Sequence, residues 1–121
     1  MDVLQKVVET VAVDSQTAAT ATATLAAPGV GFAWRVTGFM ASFSGAAVAT
    51  PVRATITGLA GVTIGVGVGT NAPVCVSFVN PLDGANDGAV ALALPSGGAG
   101  AVGDVVLCGF KVPTLPAYVG P

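Results

Sequence analysis

The sequence predicts an all-β protein: a single antiparallel β-sandwich of the jelly-roll type with about seven or eight strands. Apolar and polar residues alternate with a period of two from Thr20 onward, which is the spacing of a strand with one buried face. Turn-forming Gly, Pro, Asn and Asp residues interrupt this alternation about every 8–12 positions, as in sandwiches and barrels. No long helical pattern separates the runs, so we expect antiparallel pairing, because parallel neighbours need long crossovers.

The alternating runs predict strands at residues 20–25, 32–43, 52–57, 62–68, 74–78, 90–94 and 106–112. In the 62–68 strand, Gly65 and Gly67 leave one face almost without side chains. Another backbone or a large side chain is therefore expected to pack against that face. In the last strand the inward-facing set is expected to be Val106, Cys108, Phe110 and Val112.

The longest predicted strand, residues 32–43, is apolar at almost every position. One side carries Trp34, Val36 and Met40, and the other carries Phe39, Ala41 and Phe43. Both faces are therefore expected to be buried. Arg35 is the charged residue in this run, and three interpretations remain open for it: a strand-edge charge, the partner of an acid, or a contact at a subunit interface.

The charge content limits the classes of function. The 121 residues fit one domain and include 4 basic and 6 acidic side chains, or 8 %, where a soluble domain ordinarily has about 25 %. Four scattered cations leave nothing to neutralise a run of phosphates, so no nucleic-acid binding is expected. The sequence has no His, the usual general base and a common zinc ligand, and we therefore expect no enzymatic activity, no metal and no cofactor.

Two matches to ligand-binding motifs are interpreted as turns. Residues 98–103 fit the GxGxxG pattern, but the residues that follow alternate like a strand, whereas pyrophosphate binding needs a helix there. Residues 83–88 (Asp-Gly-Ala-Asn-Asp-Gly) offer oxygen ligands without the spacing or the distant Glu of a calcium loop. Asn and Asp tolerate left-handed backbone, so a pair of turns is predicted for this segment.

The two cysteines, Cys75 and Cys108, form no CxxC pair, and each lies in an apolar alternating run. Two buried thiols are expected, with a disulfide between neighbouring strands as the alternative. The aromatic residues of the alternating runs are expected in the core, and Tyr118 is the aromatic residue expected on a surface.

The chain ends are assigned separately from the sandwich, which is predicted for residues 17–112. Residues 1–16 fit both the spacing of an amphipathic helix and a β-branched strand, and we favour a first strand or extended arm. Residues 113–121 form a predicted Pro-rich extended tail that can lie on a partner. Charges near the N-terminus argue against a signal peptide, and Gly and Pro residues interrupt the uncharged stretch between Arg53 and Asp83, so no membrane span is expected.

Several turn and strand segments resemble those of a known group of proteins. They are Thr24-Leu-Ala-Ala-Pro-Gly29, Val36-Thr-Gly-Phe-Met-Ala-Ser-Phe-Ser44, Phe78-Val-Asn-Pro-Leu-Asp-Gly84, Ala91-Leu-Ala-Leu-Pro-Ser-Gly-Gly-Ala-Gly-Ala-Val-Gly103 and Cys108-Gly-Phe110. From Leu25 to Val112 the order of elements resembles the small β-sandwich structural proteins of tailed bacteriophages, namely head decoration, cement and minor virion proteins. The N-terminal arm and the Pro-rich tail fall outside the resemblance.

This resemblance implies a structural protein of the virion, made in the host cytoplasm and located on the outer surface of an icosahedral capsid. Such a protein binds the major capsid protein, often as a homotrimer, and cements the shell. The residues expected at the protein interface are Arg35, Pro113, Leu115, Pro116, Tyr118 and Val119. The alternative is a receptor- or glycan-binding β-sandwich of a phage tail or fibre, with Tyr118 and the 97–103 loop as its presented surface.

Overall fold

A computed structural model describes residues 9–48 and 50–114 as an all-β domain. Its strands are β1 (Thr10–Thr17), β2 (Ala21–Leu25), β3 (Phe32–Gly45), β4 (Val52–Thr57), β5 (Ile64–Val68), β6 (Val74–Asp83), β7 (Val90–Leu94) and β8 (Ala101–Pro113). No helix that could span a membrane occurs in these two ranges.

The strands form two four-stranded antiparallel sheets. Sheet I has the order β1-β8-β3-β6, and sheet II has the order β2-β7-β4-β5. Strand pairs β1/β8, β2/β7, β3/β6 and β4/β5 form one long hairpin of the described chain, which folds over into a sandwich. This is the arrangement of a jelly roll, and the predicted fold class is confirmed.

The core lies between the inner faces of the two sheets. Its largest fully buried side chains are Leu25, Val36, Ile56, Val68, Val90, Leu92, Leu94, Val105 and Leu107. No buried polar or charged residue accompanies them in the part of the chain that the structure describes. The indole Nε1 of Trp34, which is also buried, donates a hydrogen bond to the carbonyl oxygen of Ala26 at 2.7 Å, so its polar atom is satisfied.

A β-bulge in β3 corrects the expectation that this strand is buried on both faces. The register with β8 shifts between Val36 and Gly38, which inserts Thr37 as an extra residue of β3. The register with β6 shifts at the same place, but there the extra residues, 78–81, lie in β6. Because an inserted residue reverses the alternation, Val36 before the bulge and Phe39 after it both face the core. Met40 lies on the outer face and is only half-buried.

The orientation of β8 is opposite to the predicted one. The buried positions are the odd-numbered ones from Ala101 to Gly109, whereas Val106, Cys108, Phe110 and Val112 lie outward. Glycines on the inner face make room for side chains of the opposite sheet: a Cβ on Gly103 would meet Leu94, and one on Gly109 would meet Leu25. Both alternate sets of residues in this strand are largely apolar. The set that contains the glycines faces the core, because larger side chains of the opposite sheet fill the space beside them.

Both ends of the sandwich extend beyond the predicted boundaries of 17 and 112. β1 pairs with β8 over its full length, from Thr10–Gly109 to Thr17–Val102, so the first-strand interpretation is correct for residues 10–17. At the other end Pro113 still pairs with Phe32 in the ladder. Residues 1–8 and 115–121, with the predicted interface residues Leu115, Pro116, Tyr118 and Val119, lie outside the described residues.

The glycine-lined face of β5 is covered as predicted. The guanidinium group of Arg53 on β4 occupies the place where a Cβ of Gly65 would lie. The missing side chain therefore allows a long, charged side chain to lie flat across the neighbouring strand.

Candidate interaction surface

An open groove of about 360 Å³ lies on the outer face of sheet I. Gly38, which follows the bulge in β3, is one of the residues that line it. A Cβ on Gly38 would collide with the carbonyl oxygen of Val76 on the neighbouring strand β6. Glycine is therefore required at this position, and its missing side chain leaves a depression in the sheet surface.

Uncharged side chains form a continuous row across all four strands beside this groove. Val13 on β1 is in register with Val106 on β8, Val106 with Met40 on β3, and Met40 with Cys75 on β6. Cross-strand partners share a face of the sheet, so these side chains form a ridge along the groove. The exposed fraction of Val13 is 69 %, and that of neighbouring Val11 is 54 %. This row presents apolar surface to the outside of the sandwich.

Acidic side chains mark the two ends of this surface. At one end, Glu9 Oε2 accepts a hydrogen bond from Thr37 Oγ1 at 2.6 Å, so the carboxylate lies across β8 above the sheet. At the other end, Asp104 is in register with Ser15 and Ser42. None of the groove-lining residues is a cation. The outer face of sheet I is therefore apolar in the middle, with Asp104 at one end and Glu9 beside the paired Arg35 and Asp83 at the other.

Both cysteines lie on this face, which corrects the expectation of two buried thiols. Cys75 is exposed, Cys108 is half-buried, and neither forms a disulfide. Burial raises the pKa of the Cys108 thiol, and the negative charge of Glu9 raises it further. The alternative of a disulfide between neighbouring strands is also wrong, because β3 lies between β6 and β8.

The outer face of sheet II has a different chemical character. Its equivalent row across four strands runs from Thr22 through Ala93 and Thr55 to Gly65. Hydroxyl groups and the guanidinium of Arg53 cover this side, and they are readily hydrated. The two outer faces therefore differ: the central row is apolar on sheet I and carries hydroxyl groups on sheet II.

Arg35 has the acid partner that one interpretation of the sequence offered. Arg35 Nε donates to Asp83 Oδ1 at 2.8 Å across the β3–β6 pair, and the two side chains are 41 % and 54 % exposed. The hydrogen bond from Arg35 and the charge of Asp83 hold the pKa of the guanidinium above its usual range. Of the other predicted interface residues, the described one is Pro113, which lies three positions from Arg35 along the β3–β8 ladder.

The oxygen-rich segment at 83–88 joins two loops. The carboxylate of Asp87 accepts a hydrogen bond from the amide of Gly29 at 2.9 Å, and Asn86 Oδ1 accepts one from the amide of Gly31 at 3.1 Å. Asp87 has a φ of 52°, as the turn interpretation requires. Both side chains therefore stabilise the β2–β3 loop. No group of three His, Cys, Asp or Glu side chains suited to a metal occurs in the described ranges.

The GxGxxG match is part of a loop and a strand. β8 begins at Ala101, inside the motif, and Gly103 is buried in the strand. Gly98 and Gly100 have φ values of 110° and 77°, which the turn between β7 and β8 needs. The expected strand is confirmed, and the described chain has no helix at this position. The expectation of a hairpin loop is wrong, because β7 and β8 belong to different sheets.

The residues of the sheet I face were missed because β8 was assigned the wrong orientation. One sequence signal identifies the correct orientation of β8. Asp104 lies on the same face of the strand as Val106 and Cys108, so a charge would enter the core if those residues faced inward. The bulge at Thr37 has no comparable sequence signal, and it decides where Met40 lies.

Comparison with known proteins gives little similarity. The chain matches no family model and no curated protein. Among solved structures it is similar to part of the crystal structure of a ruminal GH26 endo-beta-1,4-mannanase, with 17 % sequence identity and a TM-score of 0.38. The similarity covers 84 % of this chain and 19 % of the mannanase chain. A likeness this low supports no conclusion about function.

Proposed function

We propose that this chain is a non-enzymatic structural protein of a bacteriophage virion, which decorates and cements the capsid by binding the major capsid protein, as a trimer. The observation that carries the proposal is the apolar row from Val13 to Cys75 on the outside of a folded domain. Contiguous exposed apolar surface bounded by polar residues is typical of a protein-binding site. The resemblance of the turn and strand segments to phage decoration proteins specifies the kind of partner.

The low charge content supports an assembled state. With 8 % charged residues, the chain has few groups to keep isolated copies apart in concentrated solution. Small side chains on the strands allow close approach of a partner with little loss of side-chain entropy. A trimer that contacts several capsid subunits at once converts modest single contacts into stable attachment.

The experiment compares shells with and without the protein. Shells purified from a phage that lacks the gene for this chain should release their genome at a lower temperature than complete shells, and the purified protein should restore the difference. Equal resistance of the two shells to heat and to chaotropes would contradict the cementing function.

Copy number distinguishes the alternative location. A decoration protein repeats over the whole shell, whereas a receptor- or glycan-binding protein of a tail or fibre is present in a few copies per particle. Quantitative gel analysis against the major capsid protein measures this ratio directly. A few copies per particle would favour the tail or fibre.

A further inference from the structure

We propose that the outer face of sheet I is the side of the domain that faces the shell, and that it binds an apolar patch flanked by basic side chains on the capsid protein. The polar outer face of sheet II then stays in solvent. This inference rests on the proposed function, which specifies the partner but not the orientation.

The two outer faces differ in the free-energy change that follows when a partner covers them. On sheet I, the exposed Val11 and Val13 gain by removal from water. On sheet II, the exposed Thr22 and Thr24 would need new hydrogen-bond partners in an interface. Covering sheet I therefore costs less desolvation and removes more apolar surface from water, which favours this face as the bound one.

The charges of the sheet I face specify the chemistry of its partner. Glu9 adjoins Thr10, which pairs with Gly109, and Asp104 lies five residues further along β8, a separation of about 17 Å at the usual rise of a strand. Arg35, a cation on the same face, is already paired with Asp83. A surface with basic groups at both ends complements this pattern, whereas a second copy of the same face would repeat its negative charges.

The native cysteines serve as reporters because both lie on the proposed interface. A Cys108→Ser variant keeps Cys75 as its single thiol. A matched variant combines Cys75→Ser and Cys108→Ser with Val62→Cys, which places the single thiol in the loop between β4 and β5. Val62 is 41 % exposed and does not line the groove. Each variant protein is treated with a maleimide in two states: free in solution, and bound to shells that lack the native protein.

We expect binding to shells to slow the labelling of Cys75 about tenfold or more, because reaction requires access to the thiolate. The Val62→Cys thiol should react equally fast in the free and bound states. An unprotected Cys75 on bound protein would overturn the proposed orientation and leave the proposed function intact. A wild-type protein that does not bind to shells would instead contradict the proposed function. Protection of Cys75 in concentrated free protein would show that a second copy covers this face and would also overturn the inference.

Charge variants test the chemistry of the partner. Val13→Asp should weaken binding to shells about 10- to 100-fold, because it buries a carboxylate in an apolar contact. Val62→Asp is the matched control and should bind like the wild type. The double variant Glu9→Gln and Asp104→Asn should associate more slowly than the wild type at low salt, and the difference should disappear at high salt. Equal binding of the Val13→Asp and Val62→Asp variants would overturn the inference.

Discussion

Cys75 and Cys108 lie on the same outer face of sheet I, with β3 between their strands. Adjacent strands are about 4.8 Å apart, so two spacings separate the backbones of these residues by about 10 Å. The Cα atoms of a disulfide are usually less than about 7 Å apart. The two thiols therefore line one groove and remain separate, in contrast to the predicted choice between two buried thiols and a bridge across neighbouring strands.

The two thiols should react at different rates with iodoacetamide at pH 8. Cys75 is exposed and should react first, whereas Cys108 is half-buried and its raised pKa leaves less thiolate. Cys75→Ser should remove the fast phase, and Cys108→Ser should remove the slow phase. Mass spectrometry of the labelled peptides measures both. A single common rate in the folded protein, or an intramolecular disulfide after mild oxidation, would contradict the observed geometry.

The ion pair between Arg35 and Asp83 should add little to stability. Both side chains are about half exposed, and pairs of this kind contribute about 1 kcal/mol or less. A double-mutant cycle with Arg35→Ala and Asp83→Ala, measured by urea unfolding, gives the coupling energy. It should decrease further in 1 M salt, where the screening length is about 3 Å. A coupling energy above about 2 kcal/mol would require a contribution beyond a solvent-exposed pair.

Asp14 should make stability depend on pH in the acid range. The amide of Thr22 donates to Asp14 Oδ2 at 2.9 Å and is the main cause that lowers the pKa of this carboxyl, with a smaller contribution from Gln16. A lowered folded-state pKa means that the stabilisation is present above the unfolded value of about 3.9 and is lost as the pH falls through the folded value.

Thermal unfolding of the wild type and Asp14→Asn should therefore show a difference at pH 7 that decreases below about pH 4. Gln16→Ala keeps the hydrogen bond from Thr22 and serves as the control. It should change the pH dependence of the unfolding temperature less than Asp14→Asn does. A difference that stays constant from pH 7 to pH 2 would assign the effect to something other than the charge of Asp14.

Gly58 and Gly61 should differ in their tolerance of alanine. Both have positive φ values, 93° and 74°, but a Cβ on Gly58 would collide with the carbonyl oxygen of Ala89, whereas one on Gly61 would meet nothing within 4 Å. Gly61→Ala should cost about 1 kcal/mol from backbone strain, and Gly58→Ala about 2–4 kcal/mol from strain and the collision together. Urea unfolding measures both, and equal losses would mean that the β6–β7 segment moves aside freely.

The C-terminal tail should matter for binding more than for folding. Deleting residues 115–121 keeps the hydrogen bonds from Thr114 to Gly31 and to Asn86. The unfolding temperature should therefore change little, while attachment to shells should weaken if the tail lies on a neighbour. Deleting residues 113–121 is the control and should lower the unfolding temperature, because it removes these bonds and the pairing of Pro113. Unchanged attachment after the shorter deletion would exclude a binding role for the tail.

The amino-acid sequence by itself determined the fold class and most of the strands. Alternating runs separated by turn residues were sufficient, because a strand with one buried face has an apolar residue at every second position. The bare face of β5 was also predictable: a row of glycines leaves space that a neighbour must fill, and Arg53 fills it at Gly65.

Only the tertiary structure decided which residues form the candidate site. In β8 both alternate sets are apolar, so the alternation alone does not say whether Leu107 or Cys108 enters the core, and the glycines that receive side chains from sheet II decide it. In β3 the bulge at Thr37 reverses the alternation, and this change of register is defined by the pairing with β8, a strand distant in sequence. Local pattern specifies the period of a strand, but the side that faces inward depends on what packs against it.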